Sequence, residues 1–158
     1  MIIRPAQASD APEIARLTQE LGYEVDASGL AARLSRMLAR SDQQFLIAEF
    51  DGRPVGWLHV AIAEYVETDP FVVIAGLVVD GDHRGRGIGA RLMAHAEEWA
   101  KRQGLSIVRV WSSTSRTRAH RFYEQLGYTL VKTQFSFVKA LDPGVETDLK
   151  RFVPRVEE

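Results

Sequence analysis

The chain has 158 residues, 46% hydrophobic and 26% charged, with a formal net charge of −1 and no cysteine. That length and apolar share suit one compact domain, because two full domains of this size would each be marginal. The charge balance excludes bulk attraction to nucleic acid or an anionic membrane, and the lack of cysteine excludes disulfides, thiolate zinc sites and Cys nucleophiles.

The N-terminus "MIIRPAQASD" has Arg4 and Pro5 where an apolar signal core would lie. No apolar run approaches the roughly 20 residues of a membrane span, so a soluble, cytoplasmic protein is expected. Ile2 to Arg4 reads as a strand. "SDAPEIARLTQELG" reads as a helix capped by Ser9 or Asp10, with Ile14, Leu17 and Leu21 on one face and Gly22 at its end. A second helix is expected from Ser28 to Ala39 with Leu30, Leu34, Met37 and Leu38 on one side; the polar "YEVDASG" before it is flexible enough for a lid. "QQFLIAEF", Asp51-Gly52 and "PVGWLHVAIAEYV" predict a hairpin on a tight primed turn. "TDP" is expected to turn the chain into "FVVIAGLVV", a strand covered on both faces.

A helix follows from Ile88 to Gln103, with Ile88, Leu92, Ala96 and Trp99 on its stripe and Gly104 as its stop. Then come the strand "LSIVRVWS", the loop "STSR", and a short helix carrying Ala119, Phe122, Tyr123 and Leu126 and ending near Gly127. A last strand is expected from Thr129 to Leu141, alternating through Phe135, Phe137 and Leu141 until Pro143-Gly144. The order β, α, α, β, β, β, α, β, α, β predicts an α+β layered domain over residues 1–141. Residues 142–158 form a tail whose Val145, Leu149, Phe152 and Val153 dock on their own domain or on a partner.

"DHRGRGIGARL" carries the chemistry. A loop leaving a buried strand and entering a helix presents unpaired N–H groups at the positive end of the helix dipole, which is an anion site. Gly85, Gly87 and Gly89 permit close approach of a pyrophosphate, and Arg84, Arg86 and Arg91 add charge; the bland reading is a tight turn with solvated arginines. Gly85-x-Gly87-x-x-Ala90 fits a dinucleotide fingerprint literally, but a hairpin precedes it and no acid ends the next strand. A mononucleotide P-loop is excluded because no Gly-Lys-Ser/Thr follows.

"HRGRGIG", through Arg84, Gly87 and Gly89, resembles the Arg/Gln-x-x-Gly-x-Gly/Ala signature of the GNAT acetyltransferase superfamily. "RAHRFYEQLGY", through Ala119, Phe122, Tyr123, Gly127 and Tyr128, is similar to its Ala-x-x-Phe-Tyr-x-x-x-Gly-Phe/Tyr helix. The resemblance covers residues 1 to 141 and implies a GNAT-type acyl-CoA N-acyltransferase fold, a mixed, mostly antiparallel sheet with helices on both faces. It also implies acetyl-CoA as co-substrate, its pyrophosphate held along Arg84, Gly85, Arg86, Gly87, Ile88, Gly89, Ala90 and Arg91, with Ser115 or Arg116 replacing the usual asparagine contact. The fourth and fifth strands would splay so that pantetheine pairs near Leu77, Val78 and Val79, the N–H of Val78 facing the thioester oxygen. Family members often have a proline where this chain has Gly81, and some use a fourth-strand glutamate as base, which "VVIAGLVV" lacks.

The implied activity is transfer of an acetyl group to a primary amine of a small molecule or peptide by direct attack in a ternary complex. Tyr123 is the expected acid for the leaving thiolate, against the alternative that its stripe is core. Glu64 is the candidate base, beside a water chain or a low-pKa amine. His59 reads as a strand core residue, and no His pair has metal spacing, so no metal is expected. A non-catalytic GNAT-like acyl-CoA-binding module is the alternative function. Nucleic acid and membrane partners are not expected; a homodimer through the tail or final strand stands beside intramolecular docking.

Overall fold

The structure, a computed structural model, describes residues 1–142. Its elements are β1 (Ile2–Pro5), α1 (Ala11–Thr18), α2 (Ala27–Leu38), β2 (Gln43–Phe50), β3 (Arg53–Tyr65), β4 (Thr68–Val79), α3 (Ile88–Arg102), β5 (Val108–Val110) and α4 (Thr117–Gln125). They fall into two compact units, Met1–Val110 and a second beginning at Trp111. No helix among the described residues is long and apolar enough to cross a membrane.

The first unit holds a five-stranded sheet in the order β1-β2-β3-β4-β5, antiparallel except for the parallel pair β4 and β5. The β2–β3 hairpin turns on Asp51 at φ 50° and Gly52 at φ 76°, the paired positive angles of the expected primed turn. The next turn falls on Val66 and Glu67, not on "TDP", and β4 starts at Thr68, opposite Tyr65. Pro70 is tolerated inside this strand for a geometric reason. The register with β3 shifts here, so that Asp69 and Pro70 stand against the single residue Glu64 as a bulge, and β5 begins only opposite Val72.

Helices α1 and α2 cover one face, their Ile14, Leu17, Leu30 and Leu34 sharing a buried cluster with Phe45, Ile47, Trp57 and Val78. Helix α3 covers the other face: a Cβ on Gly56, which alternates with Trp57, would meet Leu92 Cδ1 at 3.6 Å. The single expected first helix is instead α1 between two short 3₁₀ turns, Ala8–Asp10 and Gln19–Leu21, with Gly22 ending the run at φ 83°. Buried Asp10 fixes its entry by accepting from Gln7 N and from Arg4 Nη1 and Nη2, all at 2.8 Å. The Arg4 guanidinium holds that carboxyl below the usual carboxylate range.

Strand β4 departs from regular register with β3 at two places, opposite Glu64 near the hairpin end and again at Ala75. His59 faces Gly76 but Val60 faces Ile74, which leaves Ala75 as a β-bulge. Trp57 lies over the bulge so closely that a Cβ on Gly76 would sit 2.5 Å from Trp57 Cζ3 and 2.6 Å from Cη2. Beside it, His59 is partly buried as a core residue, its ring stacked on Phe45 at 5.4 Å with Nε2 2.7 Å from Gln43 Oε1.

In the second unit, α4 is closed by Gly127 at φ 87°, with Tyr128 N bonded to Tyr123 O at 3.0 Å. The strand expected from Thr129 to Leu141 does not form. Residues 129–140 join no ladder among the described residues, and a strand without a neighbour has no acceptors for its backbone. The tail beyond Asp142, with Val145, Leu149, Phe152 and Val153, lies outside the described residues.

Two outcomes follow. Gly76→Ala forces the buried Trp57 ring or β4 to move and should cost about 1–3 kcal/mol in urea unfolding. Burial holds the His59 pKa below its ordinary value, so the unfolded chain takes up this proton before the folded chain does. Stability should therefore be flat above about pH 6.5 and fall as pH drops below it, and His59→Gln should flatten that decline.

Candidate active site

Strand β4 leads into the glycine loop through buried Asp80, whose carboxylate accepts from Asp82 N at 3.1 Å and from Arg16 Nη1 at 2.9 Å. Arg16 in turn donates to Glu13 at 2.9 Å and to Pro54 O at 3.0 Å, tying α1 to the end of the sheet. The Arg16 contact, with help from Asp82 N and His83, keeps Asp80 below the usual carboxylate range. A 3₁₀ turn, Gly81–His83, follows directly.

The loop then opens. Gly85 and Gly87 adopt φ 76° and 77°, and a Cβ on either would meet nothing within 4 Å, so the space above the backbone is clear. Helix α3 makes its first bond from Arg91 N to Gly87 O at 3.0 Å. The N–H groups of Ile88, Gly89 and Ala90 are therefore those a helix start leaves without an intrahelical acceptor. Together with the helix dipole they form a cradle for an anion.

The arginines divide their work. Arg84 is committed within the protein: its Nε donates to Val79 O at 3.1 Å and its Nη2 to Glu20 Oε2 at 2.8 Å. It fastens the loop through these two nitrogens. Arg86 lies 5.8 Å from the Phe50 ring centroid and Arg91 is exposed on the first turn of α3, so both are near the cradle.

The second half of the site is the edge of β4. Strand β5 pairs with β4 only over Val72–Ile74, so from Ala75 to Val79 that edge has no ladder partner among the described residues. The bulge decides which groups face it. Before Ala75, Val72 turns its N–H to β5; after it, Asp80 N bonds Val55 O at 2.8 Å, and Val78 O lies 2.8 Å from a Cβ on Gly56. The even-numbered residues have switched to β3, so the N–H and C=O of Leu77 and the N–H of Val79 face the open edge, Val79 O being taken by Arg84. The expected N–H of Val78 is thus directed away from it, because one extra residue reverses the alternation.

Glu64 is exposed near the hairpin tip, five residues along β3 from the His59 that faces Gly76. At strand spacing that is about 17 Å, too far for direct proton transfer at the open edge. The structure does not bring them together. In the second unit, Tyr123 is half-buried on α4, its ring 5.2 Å from Phe122 and 6.0 Å from Tyr128. Burial raises its pKa above the ordinary phenol value, with Arg116 opposing, so the hydroxyl keeps its proton at neutral pH. Ser115 Oγ lies 3.0 Å from Ser113 Oγ, and Arg116 is the residue that precedes α4. His120 Nε2, 2.8 Å from Ser113 O, pins that loop to α4. Among the described residues no group of three or more His, Cys, Asp or Glu side chains is placed to hold a metal ion.

The clamp of Arg16, Asp80, Arg84 and Glu20 was missed by sequence reasoning. Its pairs are 64 positions apart, so no local spacing could signal it.

Comparison with known proteins agrees with this geometry. The model of the acetyltransferase (GNAT) family matches residues 11–128. An uncharacterized N-acetyltransferase of Methanocaldococcus jannaschii is 34% identical over 94 residues, 58% of this chain, which spans only 42% of that protein. The aminoalkylphosphonate N-acetyltransferase of Salmonella typhimurium is 32% identical over 126 residues, covering 79% of this chain and 78% of that protein. A solved aminoglycoside N-acetyltransferase in complex with CoA shares the fold at a TM-score of 0.79 and 21% identity, over 87% of this chain and 93% of that one. A cradle of free helix N–H groups beside an open strand edge suits the pyrophosphate and pantetheine of acetyl-CoA, and the chain belongs to the GNAT family of acetyltransferases, whose co-substrate is acetyl-CoA.

Proposed function

We propose that the protein transfers an acetyl group from acetyl-CoA to a primary amine of a small molecule or peptide, by direct attack in a ternary complex. The observation that carries this reading is the continuity of β4, its bulge and the glycine loop. One uninterrupted stretch offers backbone groups at Leu77 and Val79 and helix N–H groups at Ile88, Gly89 and Ala90. The names of the aminoalkylphosphonate and aminoglycoside enzymes favour a small amine over a peptide.

Acetyl-CoA supplies the activated acyl group as a thioester. The amine arrives neutral or first gives its ammonium proton to water; its nitrogen forms a bond to the carbonyl carbon, the C–S bond breaks, and the nitrogen gives a further proton to solvent as it becomes the amide. In this reading a backbone N–H of Leu77 or Val79 stabilises the carbonyl oxygen as it gains negative charge. The Tyr123 hydroxyl gives its proton to the departing thiolate and recovers one from solvent, a direction favoured by a phenol that stays protonated. Ser115 and Arg116, next to α4, are proposed to contact the pantetheine or adenine end.

Two measurements test this. Gly87→Asp and Gly87→Asn impose similar bulk and backbone strain but differ in charge, so calorimetric titration should show acetyl-CoA binding at least 10-fold weaker in the Asp variant. Equal affinities would remove the pyrophosphate from this loop. With an acceptor amine found by screening for released thiol, Tyr123→Phe should lower kcat by roughly 100- to 10,000-fold and leave acetyl-CoA affinity nearly unchanged. Wild-type kcat in that variant, where chemistry limits the rate, would make Tyr123 a packing residue.

A further inference from the structure

We propose that the acceptor is a primary amine bearing an uncharged aromatic group, which fills the cavity between α2 and strands β1 to β3 while the amine lies at the open edge of β4. This rests on the acetyl-transfer reading above and names the acceptor that the reading leaves open. The cavity measures about 150 Å³. Apolar cavities of ~150 Å³ take a benzene-sized guest. Its apolar walls are Pro5, Met37, Leu38 and Phe45, and its polar ones are Gln43, Gln44 and His59. Pro5 and Leu38 are exposed, so it opens to solvent.

The lining selects by charge. It contains no carboxylate, lysine or arginine, and the charged residues just before Gln43, Arg40 and Asp42, are bonded to each other at 2.9 and 2.6 Å. Burial holds the His59 pKa below its ordinary value, so its ring is neutral at pH 7, with Nε2 2.7 Å from Gln43 Oε1. An ammonium or phosphonate placed among these groups would lose its water and gain no counter-charge. A flat ring gains contacts instead. Phe45 stands 5.3 Å from Trp57 and 5.4 Å from His59, an aromatic wall against which a further ring packs. The acceptor therefore differs in class from the aminoglycosides and aminoalkylphosphonates for which two of the relatives are named.

The cavity lies within reach of the open edge. His59 faces Gly76 beside the bulge, and at strand spacing the open edge of β4 is about 10 Å from β3. A few carbons between ring and amine span that gap. The way across is low at Ala61, which shares the face of His59 and carries only a methyl group, and the Trp57 ring bounds it on the side of the glycine loop.

The chain has three methionines, Met1, Met37 and Met93, so NMR of the full chain with methyl-labelled methionine tests the cavity without turnover. Phenethylamine should move the Met37 methyl signal by its ring current, while Met93, fully buried on α3, stays in place. Spermidine and aminoethylphosphonate at the same concentration should leave Met37 unmoved. In turnover with acetyl-CoA, phenethylamine should show kcat/KM roughly 10- to 100-fold above either. Leu38→Trp, which narrows the cavity from an exposed position, should raise the phenethylamine KM by roughly 10-fold or more and leave acetyl-CoA affinity unchanged. Met37 unmoved by phenethylamine, an unchanged KM in the Trp variant, or a preference for spermidine or aminoethylphosphonate would each overturn the proposal, and transfer to any amine would then leave the acetyl-transfer reading standing. A Met37 shift without transfer from acetyl-CoA to any amine would instead overturn that reading, and the acceptor role with it.

Discussion

The bulge at Ala75 is the constraint on which the proposed site depends. A regular β4 would keep its even-numbered residues turned towards β5, and Gly76 and Val78 would occupy the open edge. The extra residue reverses that order and ends the β5 ladder at Ile74. Trp57 and Gly76 hold it in place. The buried indole lies where a side chain at position 76 would be, so the bulge is packed from the helix α1 and α2 face and cannot slide along the strand without opening a cavity. A core contact between a tryptophan and a glycine therefore selects the backbone groups that a thioester would meet.

Electrostatics then fix where the strand stops. Asp80 is pulled towards Arg16 while capping the turn that follows, and Arg84 reaches back to Val79 O and across to Glu20. The polar atoms of this clamp are largely satisfied within the protein, so its charges position the loop and add little net field at the cradle. The anion site is left to backbone N–H groups, the helix dipole, Arg86 and Arg91. In the proposed site, a chain with a formal net charge of −1 would hold a pyrophosphate through these local groups without attracting polyanions in general.

Most of the element order was legible because its signals are local. Alternation marked "QQFLIAEF" residue for residue, Asp51-Gly52 specified its turn, and the loop glycines stood at the positive φ angles that only a residue without Cβ adopts freely. The errors arose where geometry is not local. "TDP" looks like a turn because proline usually ends a strand, but Pro70 sits in a register shift of β4, before β5 begins opposite Val72. The family resemblance points to the N–H of Val78, but which residue of a strand faces an edge depends on the bulge before it, and a bulge leaves no mark in residue type when Ala75 occupies it. Glu64 was close to the fourth strand in sequence, yet hairpin register carries it to the far end.

The segment from Thr129 to Leu141 separates two things that sequence periodicity merges. Alternation reports that a segment is suited to a sheet, and the apolar positions report that the sheet will be buried; neither names the strand beside it. Among the described residues, 129–140 have strand character without strand pairing, whereas β5, only three residues long, pairs with β4. Natural sheets protect their edges by covering or shortening them.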